Sequence, residues 1–597
     1  MNRRSKTRAI LALGAAGFAV GVLCLEQATA SAADSGVSGA KRSLTLTSGA
    51  DQEGRLRAVV PSKVRSQRER DAFIRRILPM MGSTKAQLSL ARRLGVPKLK
   101  GKALPGRPDR DGSRQTSRTA GIDHNVTGDY YGWYGSQNEP SVAASTLDPD
   151  VVVAFAHNDF NTSGLSNACS VYLSFDGGQN FFYDSDVTHT SATPTCSDPV
   201  VRFSPDGFRV YLSYMDINGT TGDDTVKVQV RNGQNPSSVL GTTDVFTGTG
   251  GDFVDKNWVD VHTWDAGSGQ GFSGVGADVV HTTATLFDAA GGCSIIYNRS
   301  ANYGSTWDFG ASGVVLLSSD CSDPDPLLIR LVQGSRPAGG PGPQVIVCNY
   351  DSGADGWSPG VPPSATAVNN RFNIACMGSQ DYGTTWYGPF FPSSSIGFES
   401  AYWLGPNYQY MRLSAAGFPA VTIDSRANVQ LAFGADPNSN PRDSEAGNVY
   451  HQKSVFNAST NPLMLKWIGR KPVGSGGGAQ FFPAVLTQPA WESVFNPYVW
   501  LAYYDTKRSL RLGTVNHNLI YDVYTRFSTN NGSTFQAAKL ITDSSSLMDY
   551  VFIGDYLDGS ANRRNFHVVW TDRVDAISIL SYEDDVFHDR FAPPGSN

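Results

Sequence analysis

The chain has 597 residues, of which 11% are aromatic and 17% charged, with 62 glycines. Its net charge of −5 hides two segments: Asp34–Ala120 carries 20 Lys/Arg against 7 Asp/Glu, and from Gly121 onward there are 25 against 46. The acidic bulk argues against nucleic acid as the partner, and the length allows a large buried core.

Arg3, Arg4, Lys6 and Arg8 precede an apolar run from Ala9 to Leu25 and then small residues through Ala33. That order reads as a signal peptide over residues 1–33, cleaved after Ala30 or a few residues later. A membrane anchor is the alternative, for which the run is short. No later segment is long and apolar enough to span a bilayer, so the expectation is a secreted or periplasmic protein that is not membrane-spanning. Residues 34–120 form a basic extension and linker. Within it Ser66–Leu94 has apolar residues at helical spacing (Phe73, Ile74, Ile77, Leu78, Leu88, Leu90, Leu94), split by Pro79 and Gly82 into two short helices. The Pro-, Gly- and Lys-rich stretch after Leu94 reads as linker.

From residue 121 to 597 the composition turns to Gly, Asn, Ser, Asp, Tyr and Trp with short β-rich runs, and the runs repeat. Strands rich in Val, Tyr and Phe end in aspartate seven times, at Asp159, Asp216, Asp288, Asp351, Asp436, Asp505 and Asp572. Most of them follow a run opened by a turn signal such as Glu139-Pro140, Asp198-Pro199, Asp255-Lys256, Asp325-Pro326 or Asp555-Tyr556. Seven units of about 70 residues follow, each a small sheet hydrophobic on both faces that must stack on its neighbours. A β-propeller of four-stranded antiparallel blades satisfies that requirement. Seven blades are favoured, and six result if one unit is irregular. The last unit shows about three strands, so residues near Tyr130–Tyr134 are expected to supply the fourth.

One eight-residue pattern, Ser-x-Asp/Asn-x-Gly-x-x-aromatic, occurs four times: Ser174–Phe181, Ser300–Trp307, Ser379–Trp386 and Ser528–Phe535. The Asp or Asn can accept hydrogen bonds from its own turn, and glycine supplies a left-handed conformation. The pattern resembles the Asp-box, or bacterial neuraminidase repeat, of the sialidase superfamily. That resemblance implies a propeller with these turns between the third and fourth strands, opposite the active-site face. The family's catalytic pattern is not matched. Its early Arg-Ile-Pro motif is absent, and Asn138-Glu139-Pro140 stands at the corresponding place.

Six of the seven cysteines lie beyond the signal region, at 169/196, 293/321 and 348/376. An even number in an oxidising compartment predicts three disulfides between these sequential neighbours, with free buried thiols the alternative.

In a propeller the starts of the inner strands and the loops after the second strands share one face around the axis. Candidate catalytic acids are therefore Glu139, Asp198, Asp255, Asp325 and Asp555. A pair of them could serve glycoside hydrolysis as acid and base or nucleophile; capping of their own loops is the structural alternative. Trp258, Tyr503, Tyr504, Arg508 and Arg573 are candidate substrate contacts. Asp216, Asn218 and Asp223 offer hard oxygen ligands for a structural Ca2+, and no cofactor is required. The expectation is a monomeric, secreted, sialidase-like propeller acting on extracellular glycan or glycoprotein, as a glycoside hydrolase or as a non-catalytic binding module.

Overall fold

Short runs of β-branched and aromatic residues become seven four-stranded antiparallel sheets in the computed structural model. The structure describes residues 123–592 apart from a set of connections, the longest being 128–136, 264–276, 322–329, 352–370, 401–417, 436–447, 488–496 and 573–584, together with strands Ser48–Ala50 and Leu56–Ala58. Those two strands pair with each other. The expected signal peptide and the expected helices of Ser66–Leu94 lie outside the described residues.

The innermost strands of the seven blades are Gln137–Ala144, Pro194–Phe203, Phe253–Thr263, Val332–Gly339, Ala420–Ile423, Gln480–Thr487 and Asp558–Ala561. Each touches the next, and the last touches the first, so the ring is closed. From each inner strand the blade steps outward by antiparallel pairing, and the second strands are those that the aspartate period located. The aspartate ends or directly follows five of them, and lies within Val152–Phe160 and Arg209–Asn218 in the other two. Strand Gln137–Ala144 is buried on both faces, whereas Val239–Gly248, at the rim of the second blade, is exposed over its first half. Aromatic stacks are part of the blade-to-blade packing. Trp500 of the sixth blade stacks on Phe566 and Phe591 of the seventh at 4.7 and 5.1 Å.

The seventh blade is composite. Its outer strand is His124–Asn125, with His124 paired to His588 and Asn125 to Phe587. Asn125 Nδ2 also donates to Asp585 Oδ2 at 3.1 Å. The sequence reading placed this strand too late, and Tyr130–Tyr134 lie outside the described residues. After the closing strand the chain must travel from rim to axis, about 14 Å at a strand spacing near 4.8 Å. A strand ending at Tyr134 would leave too few residues to reach Gln137.

All three disulfides join the expected neighbours, each in a different way. Cys169 in the third strand of blade one reaches Cys196 in the inner strand of blade two, tying adjacent blades. Cys293 holds the segment just beyond its own blade's outer strand through Cys321. Cys348 and Cys376 face each other across paired strands of blade four.

The four repeated turns are built alike, between third and fourth strands in blades one, three, four and six. In the fourth blade Ser379 Oγ donates to Asp381 Oδ1 at 2.7 Å and accepts from Gly383 N at 2.8 Å. Asp381 Oδ1 also accepts from Thr384 N and Thr385 N. Ser174, Ser300 and Ser528 repeat the serine contacts. Among the described residues no helix is long and apolar enough to cross a membrane.

Candidate functional site

Five of the seven inner strands carry a β-bulge near their start, between Asn138 and Ser141, Ser197 and Val200, Asp255 and Trp258, Gln333 and Arg336, and Phe481 and Ala484. The second residue of each bulge adopts left-handed backbone: Glu139 (φ 50°), Asp198 (50°), Lys256 (54°), Gly334 (66°) and Phe482 (48°). For the non-glycine residues this costs on the order of 1–3 kcal/mol each and persists only where surrounding contacts enforce it.

At Glu139, Asp198 and Lys256 the enforcing contacts are electrostatic. Lys256 Nζ lies 2.6 Å from Asp555 Oδ2 and 3.2 Å from Glu139 Oε1, and it is also paired with Asp198 Oδ1. One ammonium from blade three thus gathers carboxylates from blades one, two and seven. The backbone extends the pattern: Asp198 N donates to Glu139 Oε2, and Lys256 N to Asp198 Oδ2, both at 3.4 Å. All four residues are at most 6% exposed. Burial works against the charge on Lys256, but Asp198, Asp555, Glu139 and Asp255 outweigh it and hold its pKa well above the ordinary lysine value.

Of the five predicted acids, then, Glu139, Asp198 and Asp555 come together. Asp255 is set one residue aside and accepts from Gln333 Nε2 at 2.5 Å. The sequence register was one residue out in blade three, where Lys256, not Asp255, takes the position of Glu139 and Asp198. In blade four that position is Gly334, and Asp325 lies outside the described residues. The signal for Lys256 was present: the residue before Pro140 and Pro199 marks the position, and its counterpart precedes Asn257.

Beside this cluster the side chains pack closely. Trp258 packs edge-on to Tyr556 at 5.2 Å, and the Arg336 guanidinium lies over Trp258 at 3.8 Å. Arg202 pairs with Asp558 at 2.7 Å, and Ser141 Oγ donates to the same carboxylate oxygen at 2.6 Å. The space left between Lys256, Trp258, Arg336 and Tyr556 is about 10 Å³, room for roughly one water molecule.

The other candidates are dispersed. Trp258 lines the small space beside the cluster. Tyr503 and Tyr504 are buried; Tyr504 stacks on Phe481 at 5.2 Å and its hydroxyl accepts from Thr571 N at 2.9 Å. Arg508 pairs with Asp522 at 3.3 Å in blade six, and Arg573 lies outside the described residues. Asp216 is held by His189 at 3.1 Å and Lys227 at 3.9 Å. Asn218 ends the same strand, Asp223 lies outside the described residues, and no three-residue His/Cys/Asp/Glu metal cluster exists among the described residues. Asp505 was noted only as a strand-end residue. Burial pushes its carboxyl up to about 6, against the pull of Lys507, and Asp522 lies directly opposite it across the strand pair.

The strand order defines a seven-bladed β-propeller. No protein-family model matches the chain, and no curated protein matches it. Solved structures similar to it include the Hadza microbial sialidase Hz136 (9% identity, TM-score 0.37, 76% of this chain and 65% of that one). The phage phi92 endosialidase is similar at 9% identity, with a TM-score of 0.37 over 79% of this chain and 69% of that one. A GH93 α-L-arabinofuranosidase of Fusarium graminearum covers 98% of its own length and 80% of this chain, at 10% identity and a TM-score of 0.36. At these identities and scores the likeness concerns the fold and is no guide to chemistry.

Proposed function

We propose that this protein is an exported, monomeric propeller that engages extracellular carbohydrate on the face opposite the four serine–aspartate turns. The observation that carries this reading is the identical construction of those turns in blades one, three, four and six, which supports their assignment as Asp-boxes of the sialidase superfamily. Binding without hydrolysis by the axial acids fits the geometry best. Glu139, Asp198 and Asp555 are all tied to Lys256, and the space beside them takes about one water molecule rather than a sugar ring.

Hydrolysis by a carboxylate pair is the second reading. It is favoured by one specific observation: Glu139 and Asp198 are held in left-handed backbone conformations, and such outliers cluster at working sites.

The test is a glycan array run beside a panel of chromogenic glycosides, sialosides included, with Glu139→Gln and Asp198→Asn in parallel. Retention on a glycan without turnover supports the binding reading. Turnover that either variant abolishes replaces it with a glycosidase. A folded protein that neither binds nor cleaves any glycan removes the carbohydrate assignment. Repeating the binding arm in EDTA and in added Ca2+ tests the Asp216/Asn218/Asp223 loop as a cation site.

A further inference from the structure

Among the described residues nine large apolar side chains are exposed, and six of them belong to blades one and two: Leu147, Phe175, Phe182, Phe208, Val239 and Leu240, each 38–55% exposed. The strand directions put all six on the face that carries the serine–aspartate turns. Leu147 and Phe208 sit in connections from first to second strand, Phe175 lies in the blade-one turn with Phe182 directly after it, and Val239 opens the outer strand of blade two. Contacts link them into one surface. The rings of Phe175 and Phe182 stack at 5.7 Å, and Gly177 N of the same turn donates to Asp150 O, near Leu147, at 2.8 Å. A methyl group on Gly207 would overlap the Leu147 side chain, and Gly233 N, shortly before Val239, donates to Phe208 O at 2.7 Å. Single exposed apolar side chains need no account, whereas a contiguous set marks an interaction surface.

Two observations indicate what covers it. The first is where the chain enters the ring. The basic extension joins the propeller through Asp123 and His124, and His124 pairs with His588. The His124 imidazole is within electrostatic reach of Arg590 and of Asp176, the neighbour of Phe175, and Arg590 Nη1 donates to Gly177 O at 2.7 Å. The extension therefore meets the ring beside the blade-one end of the patch. The 28 residues between Leu94 and Asp123 span about 30 Å as a flexible coil. Two steps between face-packed sheets take about 20 Å, so a segment before Leu94 can reach blade two.

The second is charge. Asp148, Asp150, Asp176 and Asp206 are interleaved with the apolar side chains. Asp150 is paired with Arg564 at 3.2 Å, and the other three with no lysine or arginine among the described residues. Arg209, close by, lies over the Tyr303 ring at 3.8 Å and equally near Asp278. Ser66–Leu94 has the complementary make-up, with seven Lys/Arg against two Asp/Glu and with Phe73, Ile74, Ile77 and Leu78 at helical spacing.

We propose that Ser66–Leu78 of the basic extension docks as an amphipathic helix on the turn face of blades one and two, its apolar stripe on the six side chains and its arginines over the acids. A second propeller would bring an acidic surface to an acidic one and lacks this match. The docked segment leaves the opposite face open, so the proposal stands or falls separately from carbohydrate binding.

The full chain is treated with a zero-length carbodiimide, which joins lysine to carboxylate, and the monomer is digested for mass spectrometry. Links from Lys63 or Lys85 to Asp148, Asp150, Asp176 or Asp206 are expected. Amide hydrogen exchange over residues 66–78 should be slowed about tenfold or more relative to the extension around it. Phe73→Ser combined with Ile77→Ser should remove both the links and the protection while exchange in the propeller strands is unchanged. Phe208→Asp combined with Leu240→Asp should do the same from the other side. Unprotected amides over residues 66–78, links confined to other faces, or links that survive Phe73→Ser/Ile77→Ser overturn the proposal. So do links between labelled and unlabelled chains in an isotope-mixed sample, which would assign the patch to a second copy. The extension variants leave the propeller sequence untouched, so they decide the matter even if Phe208→Asp/Leu240→Asp fails to fold.

Discussion

Gly178, in the repeated turn of the first blade, lies directly against the imidazole of His588 in the seventh, with no room between them for a methyl group. The same contact recurs around the ring. Gly383 rests on Tyr297 of the preceding blade, Gly532 on His451 and Gly304 on Val230 and Tyr211, and all four glycines have positive φ. The turns therefore act between blades as well as within them.

Gly178→Ala should destabilise the protein by about 2 kcal/mol or more, since it combines an unfavourable backbone region with an overlap at the closing seam. Gly241, in the outer strand of blade two, has open space around its Cα, so Gly241→Ala should change stability by no more than roughly 0.5 kcal/mol. Urea denaturation of both variants checks the contrast, and equal losses would refute the seam.

Burial pushes the imidazoles of His262, His451 and His567 down to about 3 from an ordinary 6.5. The unfolded chain takes up these protons as pH falls below about 6.5, and the folded chain does not. Stability from these groups is complete above that pH and drains away toward pH 3, at about 1.4 kcal/mol per pH unit for each. His451→Gln should flatten the loss between pH 6 and 4 relative to the parent. An unchanged slope would mean that His451 is already protonated in the folded state.

Removing the ammonium from the axial cluster should be costly. Lys256→Met leaves Glu139, Asp198 and Asp555 buried together without a cation, a loss of about 3–5 kcal/mol. The deficit should shrink on acidification, because the carboxylates can then take up protons. A variant as stable as the parent at pH 7 would show that the cluster is not held by charge.

Asp123 precedes the closing strand, and burial pushes its carboxyl up to about 9, against the pull of the hydrogen bond from the Asp543 backbone N–H and with the charges of Asp543, Asp589 and Asp572 adding to the shift. Its folded pKa lies above its unfolded value of 3.8. The folded state therefore binds the extra proton, and stability falls as pH rises from about 4 to 9. Asp123→Asn removes that penalty, so it should raise the melting temperature most at pH 8–9 and least near pH 4. A uniform shift across pH would point to packing instead.

Much of the architecture was legible because it is periodic. The seven strand-end aspartates mark the second strand of every blade, and the four turns fall where the pattern placed them. The cysteine spacing also found its partners, since each pair sits on neighbouring strands or at a blade junction. The axial site was only half legible. Glu139 and Asp198 announce themselves through the following proline, whereas Lys256 lacks that marker and was passed over for the adjacent acid. Arg336 left no signal at all, because its place over Trp258 depends on matching bulges in two blades distant in sequence. The closing strand was misplaced because strand propensity does not register how much chain is needed to cross a blade.

The pairing of His124 with His588 gives the molecule a temporal order as well as a shape. During synthesis the first blade has no neighbour on its open side until the chain's far end has emerged. The ring can accordingly pass through any narrow conduit only as an open ribbon, and it locks when the last hairpin meets residues made hundreds of steps earlier. Contacts this remote in sequence form slowly. Rejoining the polypeptide so that His124–Asn125 directly follows the Asp585–Phe591 strand would turn the slowest pairing into a local one, yielding a ring that assembles sooner from the same blades.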